Sequence, residues 1–240
     1  MSFTNTGSRG VHATAMSLGN PLVRQYSFWN GGLAFLVTAL LAMLIPAVVR
    51  AVDEAAITRV EEDWQVEIAN PNASEFAPQI TTVISPRSDL DHSYAVFELN
   101  HATQPGFESG GLQMQTWYGN SYIYSSRHMQ AVSLSTPNEV ITFTMAMTLT
   151  DRWLKFEIEN GTSTTWGAFG KGLSGNLKQW WYSSLENLNQ YSPQNSVDNS
   201  RVGFASYRVK KLQLKTVRYY SGDTLVRTDS TPRVVWEYVP

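Results

Sequence analysis

Cysteine is absent from the 240-residue chain. A disulfide framework, a thiolate metal site and a cysteine nucleophile are thereby excluded, and burial of apolar surface has to supply stability without covalent staples. Charge is scarce as well: Asp, Glu, Lys and Arg make up 16% of the residues, against roughly 25% in typical soluble domains. No acidic residue precedes Asp53, and only Arg9, Arg24 and Arg50 are basic before it, so 15 basic residues face 20 acidic ones beyond Val52, a formal charge of −5. No run of Lys and Arg exceeds Lys210-Lys211, which argues against nucleic acid as a partner. The Gly-x-Ser-x-Gly elbow of many hydrolases is missing. The stretch GAFGKGLS (Gly167 to Ser174) fails as a phosphate loop, because Gly172 stands where Ser or Thr should follow Lys171. The four histidines, His12, His92, His101 and His128, show no paired ligand spacing.

What the chain does have is apolar and aromatic material, 42% and 12% of residues. The longest uncharged apolar run is residues 31–49, GGLAFLVTALLAMLIPAVV, close to the span of about 20 residues that crosses a bilayer. Tyr26, Phe28 and Trp29 precede it in the place of interfacial aromatics, and Arg9 and Arg24 lie on the side expected to stay cytoplasmic. Its length fits an anchor through which the chain meets the membrane, whereas Pro46 and Val49-Arg50-Ala51 fit the end of a cleavable signal peptide. Both readings place the residues beyond Ala51 across the membrane, in the periplasm, at the cell surface or outside the cell. The expected organisation is a polar leader over residues 1–30, the signal or anchor over 31–51, a linker over 52–62, and one domain over 63–240.

Within that domain, strand signals recur at short spacing with turn residues between them. From Val140 to Thr150, Ile141, Phe143, Met145, Met147 and Leu149 alternate with Thr142, Thr144, Ala146 and Thr148. From Leu154 to Glu159, Leu154, Phe156 and Ile158 oppose Lys155, Glu157 and Glu159, and Asn160-Gly161 then reads as a type I′ hairpin turn. About ten such stretches predict an all-β fold of two packed antiparallel sheets. The first and last, Trp64-Val66-Ile68 and Val234-Trp236-Tyr238, share one alternation and are expected to lie side by side. Between Gly170 and Ser200 the spacing of Leu177, Trp180, Trp181, Leu185, Leu188 and Tyr191 is closer to helical, which predicts a long loop with a short helix.

The stretches TFTMAMTLTDRWLKFEIENG and VGFASYRVKKLQLKTVRYY resemble the closing half of a concanavalin A-like jelly roll, a pattern shared by laminin G-like modules and related glycan-acting domains. The resemblance implies a jelly-roll sandwich. The part beyond the apolar segment is also similar to secreted bacterial proteins with an EEDW start and a TPRVVWE end, a likeness that implies no activity.

Candidate site residues follow from chemistry. Glu157 and Glu159 lie two apart on one strand face, and retaining glycosidases need two carboxyls about 5–5.5 Å apart. The Glu-x-Asp-x-x-Glu pattern of the glycosidase version is absent, however, because the Asn160-Gly161 turn follows directly. Glu98 with His101 is a second acid/base thought. Asp89 and Asp91, beside His92, form an oxygen-rich turn of the sort that can hold Ca²⁺ or simply bond its own backbone. Flat rings stack on sugars, and two groups qualify: Trp117, Tyr118, Tyr122 and Tyr124 around the Gly119-Asn120 turn, and Trp180, Trp181 and Tyr182. Asn72-Ala73-Ser74 and Asn160-Gly161-Thr162 match the glycosylation sequon. The leading expectation is an exported non-catalytic module for carbohydrate or another envelope component. Its rivals are a membrane-anchored subunit of an envelope protein complex and a glycoside hydrolase or lyase.

Overall fold

The alternation from Val140 to Thr150 is realised in full as the strand β6, with Ile141, Phe143, Met145 and Met147 buried. The structure is a computed structural model and describes residues 55–71, 78–100, 111–127, 132–173 and 177–239. All of these fall in the second of the chain's two compact units, Arg50–Pro240. The 1–30 leader, the apolar segment over 31–51, Asn72-Ala73-Ser74, His12, His101 and His128 lie outside the described residues. No helix among the described residues is long and apolar enough to cross a membrane.

Among the described residues thirteen strands occur in this order: β1 (Arg59–Ile68), β2 (Gln79–Ile84), β3 (Ser93–Leu99), β4 (Leu112–Tyr118), β5 (Ser121–Arg127), β6 (Val140–Thr150), β7 (Trp153–Ser163), β8 (Gly167–Phe169), β9 (Lys178–Tyr182), β10 (Arg201–Gly203), β11 (Val209–Ser221), β12 (Thr224–Asp229) and β13 (Arg233–Glu237), with one α-helix, α1 (Pro193–Asn199), before β10 and a short 3-10 turn at Ser206–Arg208 before β11. They form two antiparallel sheets, an all-β sandwich. The larger runs β12-β11-β1-β6-β7-β8, with β13 also on β11 and β9 also on β7; the smaller runs β10-β2-β3-β4-β5. Inner-face side chains of both sheets meet in one core, where Phe97 of β3 packs edge-on against Phe143 of β6, ring centroids 5.0 Å apart, and touches Phe169 of β8 at 6.1 Å. Full burial of such a side chain contributes roughly 1.5–3 kcal/mol.

Four expectations are corrected. The strand β1 begins at Arg59, inside the stretch read as a linker, because Val60 and Glu62 turn into the core beside Trp64. The first and last strands are not neighbours: β1 and β13 both pair with β11. The strand β7 runs straight through Asn160-Gly161, and the two-residue turn sits earlier, at Asp151 and Arg152, whose φ values of 47° and 67° meet the type I′ requirement without glycine. Between Gly170 and Ser200, Trp180 and its neighbours form strand β9, and the helix is confined to the polar run Pro193–Asn199.

Gly161 is needed for space, since a Cβ there would overlap the ring of Phe169, which is itself fully buried. Gly161→Ala is therefore expected to destabilise by about 1–3 kcal/mol, the usual cost of overpacking. An unchanged urea midpoint would show that Phe169 can yield.

The segment 183–200 leaves β9, passes the start of β1 and reaches β2 of the other sheet. The Leu188 amide donates to Ile57 O at 2.7 Å, and Ile57 N–H donates to Asn189 Oδ1 at 2.8 Å. Val83 N–H donates to Ser200 Oγ at 3.0 Å. Midway, the fully buried Glu62 accepts from Tyr191 Oη at 2.6 Å, Ser196 Oγ at 2.5 Å and Trp64 Nε1 at 2.9 Å. Burial pushes the Glu62 carboxyl up to about 7, against these three donors and the charge of Arg233, which favour the ionised form.

Candidate functional site

The outer face of the larger sheet carries the chemistry. Antiparallel register aligns Tyr220 of β11, Arg59 of β1, Thr148 of β6, Lys155 of β7 and Trp180 of β9 in one row across five strands. At roughly 4.8 Å between strands the row is about 19 Å long. Each end pairs a ring with a cation: Arg59 lies 5.3 Å from the Tyr220 centroid, and Lys155 Nζ lies 5.6 Å from that of Trp180. In the next row outward, Trp153 pairs with Tyr182, and their rings meet edge to face at 5.8 Å. Tyr182 Oη accepts from Arg152 at 3.4 Å. Trp153, Trp180 and Tyr182 are 47%, 50% and 54% exposed.

Beside these rings opens a cavity of about 440 Å³, lined by Arg59, Thr148, Lys155, Glu157, Glu159 and Lys171, with Asp151 and Asp223 from two turns on its rim. Lys155 belongs to both the ring row and the cavity. Register shifts by one residue at Glu159, a bulge that re-aims its side chain. Glu159 there meets Arg59 at 2.9 Å and Lys171 at 3.2 Å, while Glu157, only 4% exposed, forms an ion pair with Lys155.

The structure separates the two ring groups read from the sequence. Trp180 and Tyr182 alternate outward on β9, while Trp181, paired with Leu154, turns to the inner side and is half-buried. On the smaller sheet, Trp117 packs over a small apolar cluster of Val83, Tyr94 and Val96 and donates to Gln115 Oε1 at 2.8 Å. Tyr122 stacks edge-on against Trp117 at 5.5 Å, and Tyr118 lies 6.0 Å from the His92 ring. Trp117 is largely covered, while Tyr118, Tyr122 and Tyr124 remain exposed. Glu98 lies on the same outer face, its carboxylate accepting from Gln79 and Gln115 at 3.3 and 3.0 Å.

Asp89 and Asp91 follow the turn chemistry: Asp91 N–H donates to Asp89 Oδ1 at 3.1 Å, and Ser85 Oγ donates to Asp89 O at 2.6 Å. Among the described residues, no three His, Asp or Glu side chains are grouped so as to hold a metal ion. The ring that sequence reading missed is Trp153. Its signal was available, since it continues the Lys155, Glu157, Glu159 alternation by one step.

No family model matches the sequence, and no curated protein matches it. Among solved structures, the chain aligns with scytalido-glutamic peptidase in complex with a transition-state-analogue inhibitor, at 16% identity over 74% of this chain and 82% of that one, with a TM-score of 0.27. Overlap that slight assigns neither fold family nor activity.

Proposed function

We propose that this is an exported jelly-roll module that binds carbohydrate on the outer face of its larger sheet. The observation that carries the reading is the set of outward rings, Trp153, Trp180 and Tyr182, continuous through Lys155 with an open polar cavity. Exposed rings of this size are costly to leave in water, and a row of rings and polar side chains matches the two-sided chemistry of a sugar, apolar on its faces and hydroxylated at its rim. The apolar segment over 31–49 supports export, as either anchor or signal. Binding is preferred over cleavage because Arg59 and Lys171 each take one Glu159 oxygen and Lys155 is ion-paired with Glu157.

The test is a glycan array probed with the full chain, followed by titration of any hit. Trp180→Ala and Tyr182→Ala are each expected to weaken binding about tenfold or more, the scale of an aromatic anchor. Tyr124→Ala, on the other sheet and 66% exposed, is expected to leave affinity unchanged. No binding on the array, or binding indifferent to Trp180 and Tyr182, overturns the proposal.

A further inference from the structure

We propose that residues 183–200 form a pH-sensitive strap between the two sheets, held shut while Glu62 carries a proton and loosened when it loses it. The inference is independent of the ligand reading. It starts from geometry: two of the strap's attachments, Tyr191 Oη and Ser196 Oγ, converge on a single oxygen, Glu62 Oε1. The strap is also tied by Ser183 N–H to Arg152 O at 2.7 Å, by two hydrogen bonds at Ile57, by Asn195 Nδ2 to Arg87 O and Asp89 O at 3.3 and 3.4 Å and by Val83 N–H to Ser200 Oγ, while Leu188 and Tyr191 are buried in the core. Among the attachments named, Glu62 is the side-chain carboxyl, so its protonation changes how the strap is held.

A protonated Glu62 is a neutral group whose hydroxyl one of the two strap hydroxyls can accept, so the cluster closes without a buried charge. An ionised Glu62 places a full charge in the core, and among the described residues it has no ion-pair partner. The surrounding charged and titratable groups do not offset this. Tyr191 is held well above its ordinary range by burial and remains a neutral donor. Tyr219 of β11 packs on Tyr191 at 5.7 Å and is itself covered by Arg227 of β12 at 4.0 Å. Arg233 of β13, the cation that favours the anion, is committed to Asp229 of β12 at 2.5 Å. A buried carboxylate gains most by letting water in, and the element that can move aside is the strap, since β1 itself is fixed between β6 and β11. Ser184, Leu185 and Glu186 of the strap also wall a second cavity, of about 390 Å³, that shares Thr58, Leu149 and Asp151 with the ring-flanked one. Loosening therefore reaches the cavity beside the ring row.

Hydrogen exchange read by mass spectrometry on the full chain, normalised for the intrinsic pH dependence of exchange, tests this. Protection of peptides within 183–200 is expected to fall at least about tenfold between pH 5.5 and 8.5, with peptides of β6 unchanged. Glu62→Gln is expected to abolish the difference. Ser196→Ala, which removes a donor to the ionised form, is expected to move the midpoint to higher pH, and it serves if the Gln variant does not fold. Equal protection at both pH values, persistence of the difference in Glu62→Gln, or an unmoved midpoint in Ser196→Ala overturns the proposal.

Discussion

Trp64→Ala is expected to lower the free energy of unfolding by about 3–5 kcal/mol, the range for truncating a buried aromatic side chain. Trp64 sits in β1 at the centre of the larger sheet, opposite Phe143 on one side and Leu214 on the other, and is 1% exposed. Its neighbours are held on two strands at once, so the cavity cannot collapse cheaply. The substitution also strips Glu62 of the Trp64 Nε1 donor. Trp64→Phe separates the two losses, because it keeps most of the apolar volume and removes only the donor, at about 1–2 kcal/mol. Urea unfolding near pH 6 measures both, and a loss below about 1 kcal/mol for Trp64→Ala would show that this residue is not a keystone of the core.

The second large effect is on pH dependence. Glu62 ionises near 7 in the folded protein and near 4.5 when unfolded. Between these values the folded state holds more protons than the unfolded state, so stability falls as pH rises. The contribution is fully present below about 4.5 and lost above about 7, a change on the order of 3 kcal/mol, given 1.36 kcal/mol per pH unit. Strap loosening sets a ceiling on the loss, since opening hydrates the charge before the whole fold gives way. Glu62→Gln cannot ionise and is expected to be more stable than the natural sequence at pH 8.5. Comparing the two by urea unfolding at pH 5 and 8.5 decides it: if the gap between them is the same at both pH values, Glu62 does not titrate in this range.

Legibility in the sequence tracked the range of the interaction. The strands β6 and β7 were plain because period-two alternation is written into neighbouring residues. Alternation along β7 does not announce the bulge at Glu159, which depends on the partner strand β6. Strand β9 was not plain, because Trp180 and Trp181 are both large and apolar, so the alternation is invisible until one of them has a core to face. Asn160-Gly161 misled because glycine serves two purposes, positive φ and lack of volume, and only the position of Phe169 shows which applies. Glu62 read as the end of a linker, since nothing nearby in sequence announces the Tyr191 and Ser196 hydroxyls that make its burial tolerable.

The sequence by itself determined the all-β class, most of the strands, the scarcity of charge and the apolar segment over 31–49, all of which follow from composition and short-range pattern. Only the tertiary structure decided which strands are neighbours, that β1 and β13 share β11, that Trp153, Lys155, Trp180 and Tyr182 gather on one face, and that Glu62 ties a distant strap to the core. Those depend on partners up to 134 residues apart, and alternation along one strand states which face is wet without stating what lies across from it.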